Sequence, residues 1–184
     1  AYVRAGLSGL VVELNARHTA PSLTMHDGVE VIRAPLSVER ELTPLLLSCP
    51  AAILCHSPSP KLQYLLNKPP IARRTICWFH GYEVRDYRRL SFNYSTAEHA
   101  RLKDTLERAN ASRFDAARVT FENNDIKKVF VSDYLLRIAA DDVGVVPTNS
   151  FVIHNYVEGG RFRRRVRRPD ESRRLLLVRR VTAH

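Results

Sequence analysis

The residues best suited to chemistry follow directly after an apolar run. The run spans residues 75–79, and His80, Gly81, Tyr82 and Glu83 come immediately after it. Buried parallel strands are continuous apolar runs, and ligands of open α/β sheets bind outside the carboxyl ends of the strands. The pattern therefore predicts an imidazole, a close-approach glycine and a carboxylate at such an edge. The alternative is that His80 and Glu83 only cap the strand and form local hydrogen bonds.

Two later apolar runs also end in polar residues. One is followed by Ser132, which can open a helix, and the other by Asn155. Carboxyl ends of parallel strands that belong to one sheet meet at one edge. We therefore expect His80, Ser132 and Asn155 to lie along the same edge of a sheet.

Apolar runs that alternate with helical or polar segments predict an α/β fold. Most runs are continuous, which favours a Rossmann-like, doubly wound parallel sheet covered on both faces. Helices are predicted over residues 96–118, after Ser59-Pro60, and from Ser132 or Asp133 to Gly144. The predicted strands span residues 10–14, 29–33, 51–56, 75–79, 128–132, 151–154 and 175–178.

Charge is concentrated at one end of the chain. The formal net charge is +10, and residues 161–184 hold ten arginines against two acidic side chains, which leaves +2 on the first 160 residues. A nucleic-acid-binding domain would spread its basic residues over a face, so the distribution disfavours that class. Three cysteines in apolar settings predict reduced thiols and a cytoplasmic protein. The spacing of the histidines fits no metal site.

The order of these segments resembles retaining, glycogen-synthase-like glycosyltransferases of the GT-B fold. Residues 79–83 resemble the strand-end histidine segment of the family's N-terminal domain, and residues 129–135 its V-x-V-S-x-x-L strand and helix. Residues 152–158, with Phe162, resemble the V-I-P-N-G-V-D…F passage into the second domain. Residues 175–180 resemble the L-L-x-V-G-R strand that opens that domain. His154, Tyr156 and Arg179 depart from the family's Pro, Gly and Gly.

The resemblance implies an enzyme of hexosyltransferase type, without a metal or other cofactor. It would move a sugar from a nucleotide-sugar donor to an acceptor in an envelope glycan, a lipid or a saccharide. His80 would be the catalytic residue, and Arg180 would bind the donor diphosphate, since a guanidinium can pair with two phosphate oxygens. The expected acceptor-side or cleft-lining residues are Gly81, Tyr82, Glu83, Ser132 and Asn155.

The resemblance also implies a division of the chain. Residues 1–157 would form the Rossmann-like, acceptor-side domain without its first strand and glycine-rich loop. Residues 158–184 would form a basic interdomain linker and the first strand of the donor domain. We expect the 184-residue chain to be inactive by itself and the full-length parent to be active, because catalysis needs contacts from both domains.

The arginine run has two further interpretations besides a solvated linker. The arginines from Arg161 to Arg174 could contact an anionic membrane surface, which would place the protein at the inner face of the membrane. Alternatively, the chain is a non-catalytic Rossmann-like module that binds nucleic acid through this segment. Phe162 is the single aromatic residue interleaved with the arginines, which makes nucleic acid the weaker expectation.

Overall fold

The computed structural model describes residues 9–15, 17–26, 28–35, 37, 41–48 and 50–155. Over these residues the chain forms an α/β fold. The strands are β1 (Leu10–Leu14), β2 (Ser22–His26), β3 (Val29–Ala34), β4 (Ile53–His56), β5 (Thr75–Phe79), β6 (Lys127–Phe130) and β7 (Ser150–Val152). The helices are α1 (Leu42–Ser48), α2 (Pro60–Leu66), α3 (Pro69–Ala72), α4 (Thr96–Glu122) and α5 (Asp133–Val143), with a 3₁₀ helix over Tyr87–Asn93.

The described strands form two sheets. Strands β4, β5, β6 and β7 lie side by side in that order, and every pair is parallel. The other sheet has the order β1-β3-β2, with β1 parallel and β2 antiparallel to β3. The predicted α/β class with a parallel sheet is therefore confirmed. The order of the four-stranded sheet follows the chain without the reversal that a doubly wound sheet contains.

Six of the seven predicted strands are present, and the one over residues 175–178 lies outside the described residues. Strand β2 was not predicted. Its apolar side chains Leu23 and Met25 are both 64% exposed, so the segment lacks the continuous apolar run of a buried strand. The usable signal was the Asp27-Gly28 dipeptide between two short runs, which is typical of a hairpin. Gly28 has a φ of 78° there, in the left-handed region.

One face of the parallel sheet carries the core. Alternate residues of β5 are fully or almost fully buried, because helices α2, α3, α4 and α5 contribute apolar side chains to the same cluster. Phe79, Phe121 and Phe130 lie at its centre, with ring centroids 5.3–5.8 Å apart. This packing fixes the positions of β5 and β6, and therefore the points at which the candidate residues leave the sheet.

The opposite face of the same sheet is more open. Leu54, Phe151 and Ile153 are 45%, 48% and 47% exposed. By strand register, His56 and Trp78 share this face with them, side by side on β4 and β5. We call this the open face. Parallel sheets are usually covered on both faces, whereas the described residues leave this face partly exposed.

No helix within the described ranges combines the length and the apolar character that crossing a bilayer requires.

Lys128 is an unusual member of the buried face. Its side chain is fully buried on β6, where Nζ donates to the carbonyl oxygen of Asn123 and, over 3.2 Å, to Thr148 Oγ1. Burial lowers the pKa of Lys128 to about 8, against an ordinary value of 10.5. The ammonium is therefore held at a free-energy cost near neutral pH.

We predict that Lys128→Met leaves the free energy of unfolding at pH 7 unchanged or raises it. Both partners keep other hydrogen bonds, since Asn123 O also accepts from Ile126 N and Thr148 Oγ1 donates to Phe121 O. A methionine there avoids the desolvation cost. Between pH 8 and 10.5 the unfolded wild type binds more protons than the folded one, so its stability rises with pH relative to the variant. Urea unfolding of both proteins from pH 7 to 10 would measure this, and a constant difference would contradict it.

Candidate functional site

The structure places the three predicted strand-end residues along one edge of the parallel sheet. Phe79, Phe130 and Val152 are register neighbours on β5, β6 and β7. His80 follows the first directly, and Ser132 and Asn155 follow the other two after one and two intervening residues. We call this the carboxyl edge. It also includes His56, the last residue of β4.

The loop after β5 is shaped by Gly81 and held by Glu83. Gly81 has a φ of 141°, and a side chain there would be strained. Oε2 of Glu83 accepts hydrogen bonds from the backbone N–H of Gly81 over 2.9 Å and of His80 over 3.3 Å. Glu83 itself is only 7% exposed. Its carboxylate therefore supports the loop, as the local hydrogen-bonding alternative expects.

Tyr82 is held from helix α4. The Arg113 guanidinium lies over the Tyr82 ring, with Cζ 4.2 Å from the centroid, and also donates to the Tyr82 carbonyl oxygen. A second Arg113 nitrogen donates to Asn110 Oδ1 over 2.8 Å. Arg113 and Asn110 are buried, whereas Tyr82 is 68% exposed. The arrangement presents an aromatic ring to solvent from a fixed backbone.

The far end of the same loop is tied to helix α5. The carboxylate of Asp142 accepts from the backbone N–H of Asp86 over 2.9 Å and pairs with Arg89 at 2.6 Å. The Arg88 guanidinium beside Asp86 holds the pKa of that carboxyl below its usual value. Both ends of the loop are thus fixed, which leaves His80 on a well-supported segment.

Ser132 and Asn155 differ in what their side chains do. Ser132 is the N-cap of α5, and its Oγ accepts from the backbone N–H of Leu135 over 3.1 Å. Capping uses one lone pair of the hydroxyl and fixes the start of the helix. Asn155 is exposed. Next to it, His154 Nδ1 lies 3.2 Å from the Val131 carbonyl oxygen, which links the end of β7 to that of β6.

Sequence reasoning missed a second histidine at this edge. His56 Nδ1 lies 3.2 Å from His80 Nε2, and the two rings are stacked with centroids 5.5 Å apart. The other stacking partner of His56 is Trp78, at 5.4 Å and 18° between ring planes. Burial, and secondarily His80, lowers the pKa of His56. The available signal was that His56 and His80 both stand at the carboxyl ends of successive apolar runs.

Two cysteines on the buried face have unreactive thiols. Burial is the main cause that raises the pKa of the Cys55 thiol to about 12, with the Glu83 carboxylate adding to it. Burial also raises the pKa of Cys77 well above its ordinary value. Neither thiol forms the nucleophilic thiolate near neutral pH. Among the described residues, no group of three or more histidine, cysteine, aspartate or glutamate side chains could hold a metal ion.

Several predicted features fall outside the described residues, which end at Asn155. These are Arg180, the arginines from Arg161 to Arg174, and the domain boundary at residue 158. No protein-family model matches this chain, and no curated protein matches its sequence. The assignment of function therefore depends on the fold and on the carboxyl edge.

Proposed function

We propose that this chain is the acceptor-side part of a retaining glycosyltransferase that moves a sugar from a nucleotide sugar to a glycan, lipid or saccharide acceptor. The observation that carries the proposal is the position of His80. It stands at the carboxyl edge of a parallel sheet, on a loop whose backbone Glu83 fixes. Ligands of such sheets bind at this edge, and a fixed imidazole there suits hydrogen bonding to a sugar hydroxyl.

The strand topology supports the finer assignment to a doubly wound, GT-B-like domain. Among the described strands, β1 and β4 each stand at the end of a sheet and pair on one side only. One additional parallel strand between them would join the two sheets in the order β2-β3-β1-X-β4-β5-β6-β7. The chain order would then reverse at X, which is the feature that defines a doubly wound sheet and marks its ligand site. The described residues do not include such a strand, and we propose that it is the first strand of the GT-B-like domain.

The proposed roles follow from exposure and contacts. Exposed His80 would approach the transferred sugar, and Tyr82, with its ring 68% exposed, would line the acceptor side. Buried Glu83 would act indirectly, by holding the His80 and Gly81 backbone. Ser132 would fix the start of α5, and Asn155 would lie at the cleft margin. By resemblance, Arg180 would contact the donor diphosphate.

The test is a side-by-side assay of the full-length parent and the 184-residue chain. Both would be incubated with a panel of nucleotide sugars, and sugar transfer and donor hydrolysis would be measured with and without EDTA. We expect turnover by the parent with at least one donor, no loss in EDTA, and no turnover by the chain alone. Turnover of no donor by the parent would contradict the proposal, and equal turnover by the chain would contradict the two-domain interpretation.

A further inference from the structure

Two imidazoles are in contact at the carboxyl edge. His56 and His80 leave adjacent parallel strands, and Nδ1 of the first faces Nε2 of the second at 3.2 Å. The His56 ring is also stacked on Trp78. Both histidines are exposed enough for solvent and ligand to reach them. The sheet and the stacked indole together restrict where the His56 ring can lie.

We propose that His56 is a positioning residue for His80, and that the two imidazoles share one proton through their Nδ1–Nε2 contact. The proposed glycosyltransferase function gives this pair its role, because His56 would set the tautomer and ring orientation with which His80 meets the sugar. The contact requires one nitrogen to donate and the other to accept. The free nitrogen of His80, Nδ1, is left for a ligand.

Proton counting explains why the contact constrains His80. A neutral pair forms one N–H···N bond, and a singly protonated pair forms a stronger, charge-assisted one. A doubly protonated pair has two donors facing each other and must separate. Burial, and secondarily the neighbouring His80, lowers the pKa of His56, which favours the neutral form of this ring.

The groups around the pair do not compete for the contact. Glu83 binds the backbone N–H of His80 instead of the ring, and Arg85 lies against Gly81. Cys55 lies on the opposite face of β4 and carries a raised pKa, so its thiol is uncharged. From the end of β7, His154 directs Nδ1 to a carbonyl oxygen of the neighbouring segment.

The direct test uses the 184-residue chain labelled with ¹⁵N-histidine. In the wild type we expect a ¹⁵N–¹⁵N coupling across the Nδ1–Nε2 hydrogen bond and one dominant tautomer for His80. His56→Phe keeps a ring on Trp78 but removes the nitrogen, so the His80 tautomers should become mixed. His56→Asn returns a polar atom near the Nδ1 position and should restore one tautomer. The wild-type coupling requires no variant to fold, and its absence above pH 7 would overturn the proposal.

Trp78 gives a second readout because it is the only tryptophan in the chain. Protonation of the stacked His56 should quench its fluorescence at a pH below the ordinary histidine value of 6.5, because the pKa of His56 is lowered. The step should be absent in His56→Phe. An unchanged step in that variant would contradict a shared proton.

The lowered pKa of His56 also predicts how stability depends on pH. The pKa of His56 is lowered in the folded state, so below its ordinary value of 6.5 the unfolded chain binds more protons than the folded one. The free energy of unfolding should therefore fall as the pH drops from 7 to 5. In His56→Phe the decrease should be smaller, and an equal decrease in both proteins would count against the pair.

Transfer assays on the full-length parent separate the two proposals. If His56 positions His80, His56→Phe should lower kcat about 10-fold with little change in KM. The same variant should alter the acid limb of the pH profile. His56→Asn should recover much of the rate. An unchanged kcat would overturn the positioning role. Absence of transfer by the wild type, with the NMR coupling present, would contradict the glycosyltransferase but leave the proton-sharing pair in place.

Discussion

Replacing Phe121 by alanine should lower the free energy of unfolding by about 3–5 kcal/mol. Phe121 of α4 is fully buried and packs edge-on against Phe79 and Phe130 at 5.6 and 5.8 Å. Truncation would leave a cavity between the helix and the two strands that end at the carboxyl edge. Urea unfolding followed by Trp78 fluorescence would measure the loss.

Phe151→Ala is the matched control for this prediction. Phe151 is 48% exposed on the open face, so truncation there should cost about 1 kcal/mol. Equal losses at the two positions would mean that the core is not centred between α4 and the parallel sheet. A marginal loss at Phe121 would lead to the same conclusion.

The strands of the parallel sheet could be predicted because buried strands are short, continuous apolar runs in the sequence. β5 and its neighbours are short apolar runs with polar residues after them, and their ends could be predicted to within one or two residues. The three-stranded sheet was harder. β2 is exposed along most of its length, so pairing with β3 rather than apolar burial holds it in place.

The candidate site could be located from the sequence but its internal contacts could not. Each strand end was visible, yet the contact of His56 with His80 depends on β4 being the neighbour of β5 in a given register. A single sequence does not specify which strands are neighbours in a sheet. Glu83 shows the same limit, because a carboxylate after a strand could face a ligand or bind the backbone. Its burial and the hydrogen bonds that it accepts from two backbone N–H groups show that it binds the backbone.

These contacts explain why the loop after β5 is a better candidate site than the exposed end of β7. Glu83 within the loop, Arg113 of α4 and Asp142 of α5 each form hydrogen bonds with its backbone. A functional side chain gains from such support because small displacements at a reacting centre are costly. Asn155, by comparison, is exposed beyond the end of β7. Substitutions at His80 should therefore affect activity more than substitutions at Asn155.

If the proposed glycosyltransferase function is right, His80→Ala in the full-length parent should reduce sugar transfer about 10-fold or more, the effect of losing one positioned polar group. Each factor of 10 corresponds to about 1.4 kcal/mol of transition-state stabilisation. His80 is exposed, and Glu83 binds its backbone rather than its ring, so the free energy of unfolding should change by less than about 1 kcal/mol. Steady-state transfer assays and urea unfolding of the same preparations would measure both quantities.

The control is His26→Ala, which removes an exposed histidine from β2, outside the parallel sheet, and should leave transfer unchanged. Comparable losses of stability and activity in His80→Ala would favour the interpretation in which His80 only caps β5. Unchanged transfer would remove His80 from the catalytic role altogether. A loss of kcat with normal stability, absent in His26→Ala, is the result that the geometry of the carboxyl edge predicts, because there the imidazole is exposed to a ligand while its backbone stays fixed.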